Sequence, residues 1–380
     1  MKVTFPHMGY IWVGVEAMLA YLGVDFVVPP PTGRRALALG VRYGPEFACL
    51  PLKLNLGNFI EASAFGADTI LMAGGCGPCR FGYYAQVEHT ILADLGYKYE
   101  LVVLEPPERH AGQLLTRIKA ITKNNSWRRV YEGIRLGYGK IRAVDELEKK
   151  AHWLRPREAV PGSTERAFDE ALQVIAGARS PADLAEAEKK AKSIMEAVPV
   201  RERKVLRVGI VGEIFTLLEP FANLDIERRL GALGVEVDRS IYLSEWINDH
   251  MLFGRVKGLR SRHEACRAAL PYLKHFVGGH GQETVGSTVL YARAGYDGVI
   301  QLLPFTCMPE IVARGILPAV SSELDIPVLT LTFDEQTGEA GLMTRLEAFL
   351  DLLEKRKKNE KIFGMIKNER LKKVNVSGRT

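Results

Sequence analysis

Two stretches of this chain, one at each end, alternate short β-rich runs with helical periodicity, and the two stretches echo each other. In the first, Val3-Thr4-Phe5 reads as a strand and 10–21 as a helix. Asp25-Phe26-Val27-Val28 reads as a second strand, closed by Pro29-Pro30-Pro31. A helix from Pro51 to about Phe65, a strand over 68–73, a helix over 80–95 and a strand at Leu101-Val102-Val103-Leu104 follow. In the last stretch, strands are predicted at 206–211, 235–237, 298–302 and 328–331, and helices at 220–233, 260–276, 284–294 and 309–316, with a final one from about Gly341. Strands alternating with helices predict parallel βαβ units, hence an α/β fold. The echo is local as well: Tyr21-Leu22-Gly23-Val24-Asp25 matches Ala232-Leu233-Gly234-Val235-Glu236, and Gly66-Ala67-Asp68-Thr69-Ile70 matches Gly295-Tyr296-Asp297-Gly298-Val299. After each third strand comes a cysteine, Cys76 in one half and Cys307 in the other. Ligands of open parallel sheets sit beyond the carboxyl ends of the strands, so two facing domains would present both thiols to one cleft.

Between the halves the strand signals vanish and amphipathic helical patterns take over. One start is explicit: Ser180-Pro181-Ala182-Asp183 offers an N-cap serine, a proline at the first helical position and an acid at the third. The expected organisation is a first α/β domain over 1–110, a helical bridge or cap over 111–203, a second α/β domain over 204–352 and a basic helix or tail over 353–380. Val198-Pro199-Val200-Arg201-Glu202-Arg203 reads as the linker.

A length of 380 residues with 47% hydrophobic and 25% charged residues suits a soluble two-domain protein with ample core. No apolar run approaches a membrane span and the start carries no long apolar stretch, so no membrane role, no signal peptide and a cytoplasmic location are expected. The net charge of +6 is a tail property: ten Lys or Arg against three Asp or Glu lie between Leu353 and Thr380. Without that tail the body is close to neutral, which argues against a nucleic-acid channel. Lys355-Arg356-Lys357-Lys358 reads as a solvated helical extension or frayed terminus, with contact to an acidic partner or a phosphate as the alternative.

Five cysteines (49, 76, 79, 266, 307) in a chain of this kind point to metal or redox chemistry rather than a disulfide framework. Cys76-Gly77-Pro78-Cys79 spells a dithiol turn, but two glycines precede it where thioredoxins carry tryptophan, and it follows the third strand. Structural zinc wants two closely spaced pairs, and only one pair exists. A [4Fe–4S] cluster takes four thiolates, and these can come from distant loops. Cys49, Cys76, Cys79 and Cys307 all fall at predicted loop-to-helix junctions, where free N–H groups favour negative charge. Gly74, Gly75 and Gly77 would let backbone approach such a cluster closely. Cys266 reads as mid-helix and is not expected to be a ligand.

Around the cysteines, Lys53 and Arg80 would offset cluster charge, with surface pairing as the alternative. Glu213, at the carboxyl end of the second half's first strand, either lines the cleft or caps the next turn. His280 and Glu283, in a glycine-rich loop, are candidate proton donors or polar contacts; the alternative is a turn with an acid at a helix start. His7 reads as structural, and Phe81, Tyr83 and Tyr84 as core and shielding.

These segments resemble the 2-hydroxyacyl-CoA dehydratase D-component family, most closely its branch of CoA-substrate-specific enzyme activase-related proteins. The resemblance is carried by residues 46–53 (EFACLPLK), 75–84 (GCGPCRFGYY), 211–213 (VGE), 279–286 (GHGQETVG) and 304–310 (PFTCMPE). It implies two Rossmann-like parallel-sheet domains with a cysteine-bound [4Fe–4S] cluster near their junction, in an anaerobic system. A separate ATPase of the actin-like fold would inject low-potential electrons, and this chain has no GxxxxGK[ST] phosphate loop of its own. Five cysteines fall short of the six that a double-cubane cluster takes in some relatives, so one ordinary cluster held by Cys49, Cys76, Cys79 and Cys307 is the expectation. Alternatives are a reductase or dehydratase acting directly on a small molecule or acyl-CoA, a scaffold stapled by a cluster or zinc, and a dithiol oxidoreductase. A homodimer is left open.

Overall fold

The computed structural model describes residues 1–74, 79–104, 119, 121–122, 125–251, 254 and 256–376, with side chains to Asn359. Its architecture is mixed α/β, built on two parallel sheets. The first has the order β1 (Val3–Thr4), β2 (Thr69–Ala73), β3 (Glu100–Leu104), with Val3 opposite Thr69 and Thr69 opposite Glu100. On the free side of β1, Phe26 forms an isolated parallel bridge to Val3. The second sheet holds β4 (Leu206–Gly212), β5 (Val235–Arg239), β6 (Gly298–Pro304) and β7 (Val328–Phe333) in the order β5-β4-β6-β7. If Phe26 counts as the remnant of a strand, both sheets share one order. In each, the second β run lies outermost, then the first, the third and the fourth.

The paired turns repeat too. Gly23 and Gly234, and Gly66 and Gly295, precede equivalent runs with φ of +66°, +84°, +81° and +70°. A chain leaving a helix and reversing into a strand wants a left-handed residue at that point, which glycine adopts without steric cost.

Several expectations shift. The strand expected over 25–28 shrinks to the Phe26 bridge: Val3 bonds Asp25 and Val27, and the chain then departs at three prolines, which have no N–H to donate. The helix expected over 80–95 opens as a 3₁₀ turn, Arg80–Tyr83, before the α-helix Tyr84–Asp94. The single helix expected over 220–233 is two short ones, Pro220–Asn223 and Ile226–Ala232, broken where Leu224 and Asp225 turn left-handed. The helix expected over 260–276 is only Arg262–Ala269, whereas the one from Met308 runs on to Glu323. Three helices had no expectation, Arg34–Tyr43, Ile214–Leu218 and Leu243–His250. Ser180 caps as expected, accepting from the Asp183 N–H at 3.2 Å.

The helix Leu50–Ser63 is buried around nearly its whole circumference. Such a helix has core on every side. Leu50 and Leu54 pack into the second half's core with Ile300, Leu302 and Phe333, while Leu52, Leu56 and Phe59 pack into the first half's. Each fully buried leucine contributes about 1.5–3 kcal/mol, so this helix joins the halves through one continuous apolar contact. The long helix Trp127–Leu154 packs on the helix Ile11–Tyr21 and also reaches the Leu243–His250 helix and β5.

The helix Glu339–Val376 crosses the expected boundary at Leu353 without a break. Arg356 and Lys357, expected to be solvated, pair with Asp325 and Asp297 at 2.8 and 2.7 Å. Among the described residues no helix is long and apolar enough to cross a membrane.

Candidate functional site

Cys49, Cys79 and Cys307 each occupy the N-cap position of a helix or 3₁₀ turn with extended backbone. Pro51 and Pro309 stand two residues beyond Cys49 and Cys307, in the first helical turn where no backbone N–H is needed. None of the three thiols closes a capping hydrogen bond, yet the N–H groups of Leu52, Phe81 and Glu310 turn toward their respective sulfurs and pull the thiol pKa values down. Burial works the other way and wins. It pushes Cys49 up to about 11 and raises Cys79 and Cys307, with Glu213 adding to the rise at all three. Without a metal the pocket therefore keeps its thiols protonated, and binding one would release those protons.

A single guanidinium ties the three cysteine loops together. Arg80, next to Cys79, donates from Nη1 to the Phe47 carbonyl at 3.0 Å, and from Nη2 to the Thr306 carbonyl and hydroxyl at 2.5 and 2.9 Å. The Thr306 hydroxyl in turn donates to the Phe47 carbonyl at 3.1 Å. Phe47 precedes Cys49 by two residues and Thr306 precedes Cys307 by one, so the clasp spans both halves of the chain. Thr306 pays for it with a φ of +66°. A β-branched residue in that region is strained by about 1–3 kcal/mol. The Cys79 sulfur also lies beside Gly279, 3.7 Å from where a Cβ would stand, and that Cβ would press on Pro309 at 3.2 Å.

Cys49 shares a hydrogen bond with the Tyr84 hydroxyl. Glu310, wholly buried, is the carboxyl nearest Cys307 in sequence on its own helix. Thr284 donates to both its oxygens at 3.0 Å and Gln301 donates to one at 2.9 Å. Burial pushes its pKa up to about 8 despite those donors, so it carries a proton at neutral pH. Sequence reasoning missed Glu310 because its burial depends on partners 26 and 9 residues away; its place in the Cys-Met-Pro-Glu segment was the only hint.

The other candidates are placed as follows. Glu213 caps its helix, accepting from Phe215 and Thr216 N–H at 2.9 and 3.0 Å, and its charge still reaches all three thiols and His280. His280 is buried at the start of the helix Gly281–Arg293; burial depresses its pKa to about 4, leaving it neutral. Glu283 turns to Arg262, 2.8 Å from its Nε. Lys53 is buried in an ion pair with Glu335 at 2.8 Å, so its charge is already matched. His7 joins Glu219 at 3.3 Å and is part of the contact between the halves. Cys266 lies within the helix Arg262–Ala269. Gly75, Cys76 and Gly77 lie outside the described residues.

Among the described residues no three His, Cys, Asp or Glu side chains form a group that would hold a metal ion. The three described thiols are linked electrostatically: Cys49 raises the pKa of Cys307, and Cys49 and Cys79 both raise that of Tyr84. Soft sulfur donors on separate loops, with N–H groups turned toward them and glycine backbone beside one of them, fit an iron–sulfur core larger than one ion. No protein-family model and no curated protein matches this chain.

Proposed function

We propose that this chain is an iron–sulfur protein of the 2-hydroxyacyl-CoA dehydratase and activase-related class. Cys49, Cys76, Cys79 and Cys307 hold one [4Fe–4S] cluster between two Rossmann-like halves, and the protein handles low-potential electrons delivered by a separate ATPase. The observation that carries this reading is the convergence of Cys49, Cys79 and Cys307 from three loops of both halves under the Arg80 clasp. A dithiol enzyme would need only the Cys76–Cys79 turn. A single zinc ion would need ligands drawn tightly together.

When bound, the cluster supplies one-electron chemistry. The chain's own residues do the rest. Burial of Cys49 and Cys307 excludes water, the helix-start N–H groups offset negative charge at the sulfurs, and Arg80 fixes the loop spacing. Glu310 holds a proton within the same pocket, and neutral His280 adds a polar ring without charge.

Anaerobic purification with iron, sulfide and zinc quantified tests the reading. About four irons and four sulfides per chain are expected, and Arg80→Ala should lower iron retention while leaving the far-UV spectrum unchanged. Colourless protein with one zinc per chain and no iron would overturn it.

A further inference from the structure

Away from the cysteines, the second half carries a half-open cavity of about 370 Å³ beside the edge strand β5, lined by the helices Leu243–His250, Arg262–Ala269 and Gly281–Arg293. That volume lies in the range of small-molecule sites. Its charge is one-sided. Among the described residues five carboxylates line it against three guanidiniums, and each of those guanidiniums is engaged. Arg260 binds Asp238 at 2.6 Å, Arg262 binds Glu283 at 2.8 Å, and Arg207 lies over the Tyr296 ring at 4.1 Å with Glu236 3.8 Å away.

The remaining acids are less matched. Glu245, only 5% exposed, meets Lys149 at 3.2 Å through one oxygen and leaves Oε2 without a partner. Among the described residues Asp249 receives a backbone N–H, that of Arg262 at 2.7 Å, and no side-chain donor. Glu264 is exposed and lines the cavity as well. Trp246 and Tyr291 add aromatic faces suited to a carbon skeleton.

Among the described residues, an anion entering here would face surplus carboxylates and no unengaged guanidinium. A neutral polar molecule would leave that surplus uncompensated. We propose that this cavity binds a small amine-bearing organic cation, its ammonium group matched to the Glu245, Asp249 and Glu264 carboxylates and its carbon chain lying against the aromatic rings. The assignment does not depend on what the cysteines hold.

A matched set of eight-carbon probes tests it on the protein as purified: 1,8-diaminooctane, 1,8-octanediol and suberate, titrated by calorimetry and by tryptophan fluorescence. The diamine is expected to bind saturably and the diol and diacid not to bind. Glu245→Gln should weaken the diamine about tenfold, as loss of a charge-assisted contact does. Glu264→Gln, at an exposed and unpaired position that leaves folding intact, should weaken it about threefold. Trp246→Phe should abolish the fluorescence change while calorimetric binding persists. Suberate binding more tightly than the diamine, no binding of the diamine at millimolar concentration, or diamine binding indifferent to both glutamate changes would overturn the proposal.

Discussion

Glu88 sits on the helix Tyr84–Asp94, fully buried, and neither of its oxygens has a hydrogen-bond partner among the described residues. Burial alone raises its pKa far above the usual carboxylate range, so it is folded in as the neutral acid. An unpaired buried polar group costs about 1–3 kcal/mol. Glu88→Met keeps the length and removes the polar atoms, and should stabilise the protein by about 1–2 kcal/mol in urea unfolding at pH 7. A loss of stability would show that the carboxyl has a partner that matters. Nothing in Gln86-Val87-Glu88-His89-Thr90 announces this; a glutamate in a mostly polar stretch reads as surface, and only the packing of the first half's core on this helix makes it interior. Cys49 and Cys307 were different. A cysteine with a proline two residues on, before a helical pattern, is a helix start that sequence alone can place.

At the scale of elements, the junction between the Trp127–Leu154 and Leu243–His250 helices rests on Asp145, which accepts the Ser244 N–H at 2.7 Å. Burial pushes the Asp145 pKa up to about 7; Glu148 adds to the rise, while Ser244 and Arg239 oppose it. In the unfolded chain an aspartate titrates near 3.9. Between about pH 4 and pH 7 the folded state therefore holds the extra proton, and this group's contribution to stability falls as pH rises through that window. Asp145→Asn should flatten that slope and raise stability at pH 8 by on the order of 1–3 kcal/mol relative to pH 4.5. Thermal melts of both proteins across pH 4–8 check this, and parallel profiles would contradict it.

Elements with strong periodicity and explicit ends were legible, as at Ser180 and along β4 and β6. The Arg34–Tyr43 helix was not. It begins at Gly33 with no capping side chain and no acid in its first turn. It docks because Gly40 lets it meet the backbone at Lys53, where a Cβ would stand 1.8 Å from the carbonyl oxygen. That is a tertiary reason with no local signature.

Over the whole molecule, the two sheets share one strand order once the Phe26 bridge is counted with the first, they share one set of left-handed turns, and the helix Leu50–Ser63 lies in both cores. The echoes Gly23-Val24-Asp25 and Gly234-Val235-Glu236 made that repetition readable. The clasp was not, because Arg80, Phe47 and Thr306 are joined only once both halves are folded together. The account stands on Cys307 serving the same centre as Cys49 and Cys79. The most direct test is electron paramagnetic resonance of the anaerobic, titanium(III)-reduced protein, compared with Cys307→Ser and Cys266→Ser. The account predicts a reduced-cluster signal that Cys307→Ser shifts or abolishes and Cys266→Ser leaves unchanged. An absent signal, or one that Cys307→Ser does not alter, would contradict a cluster held from both halves.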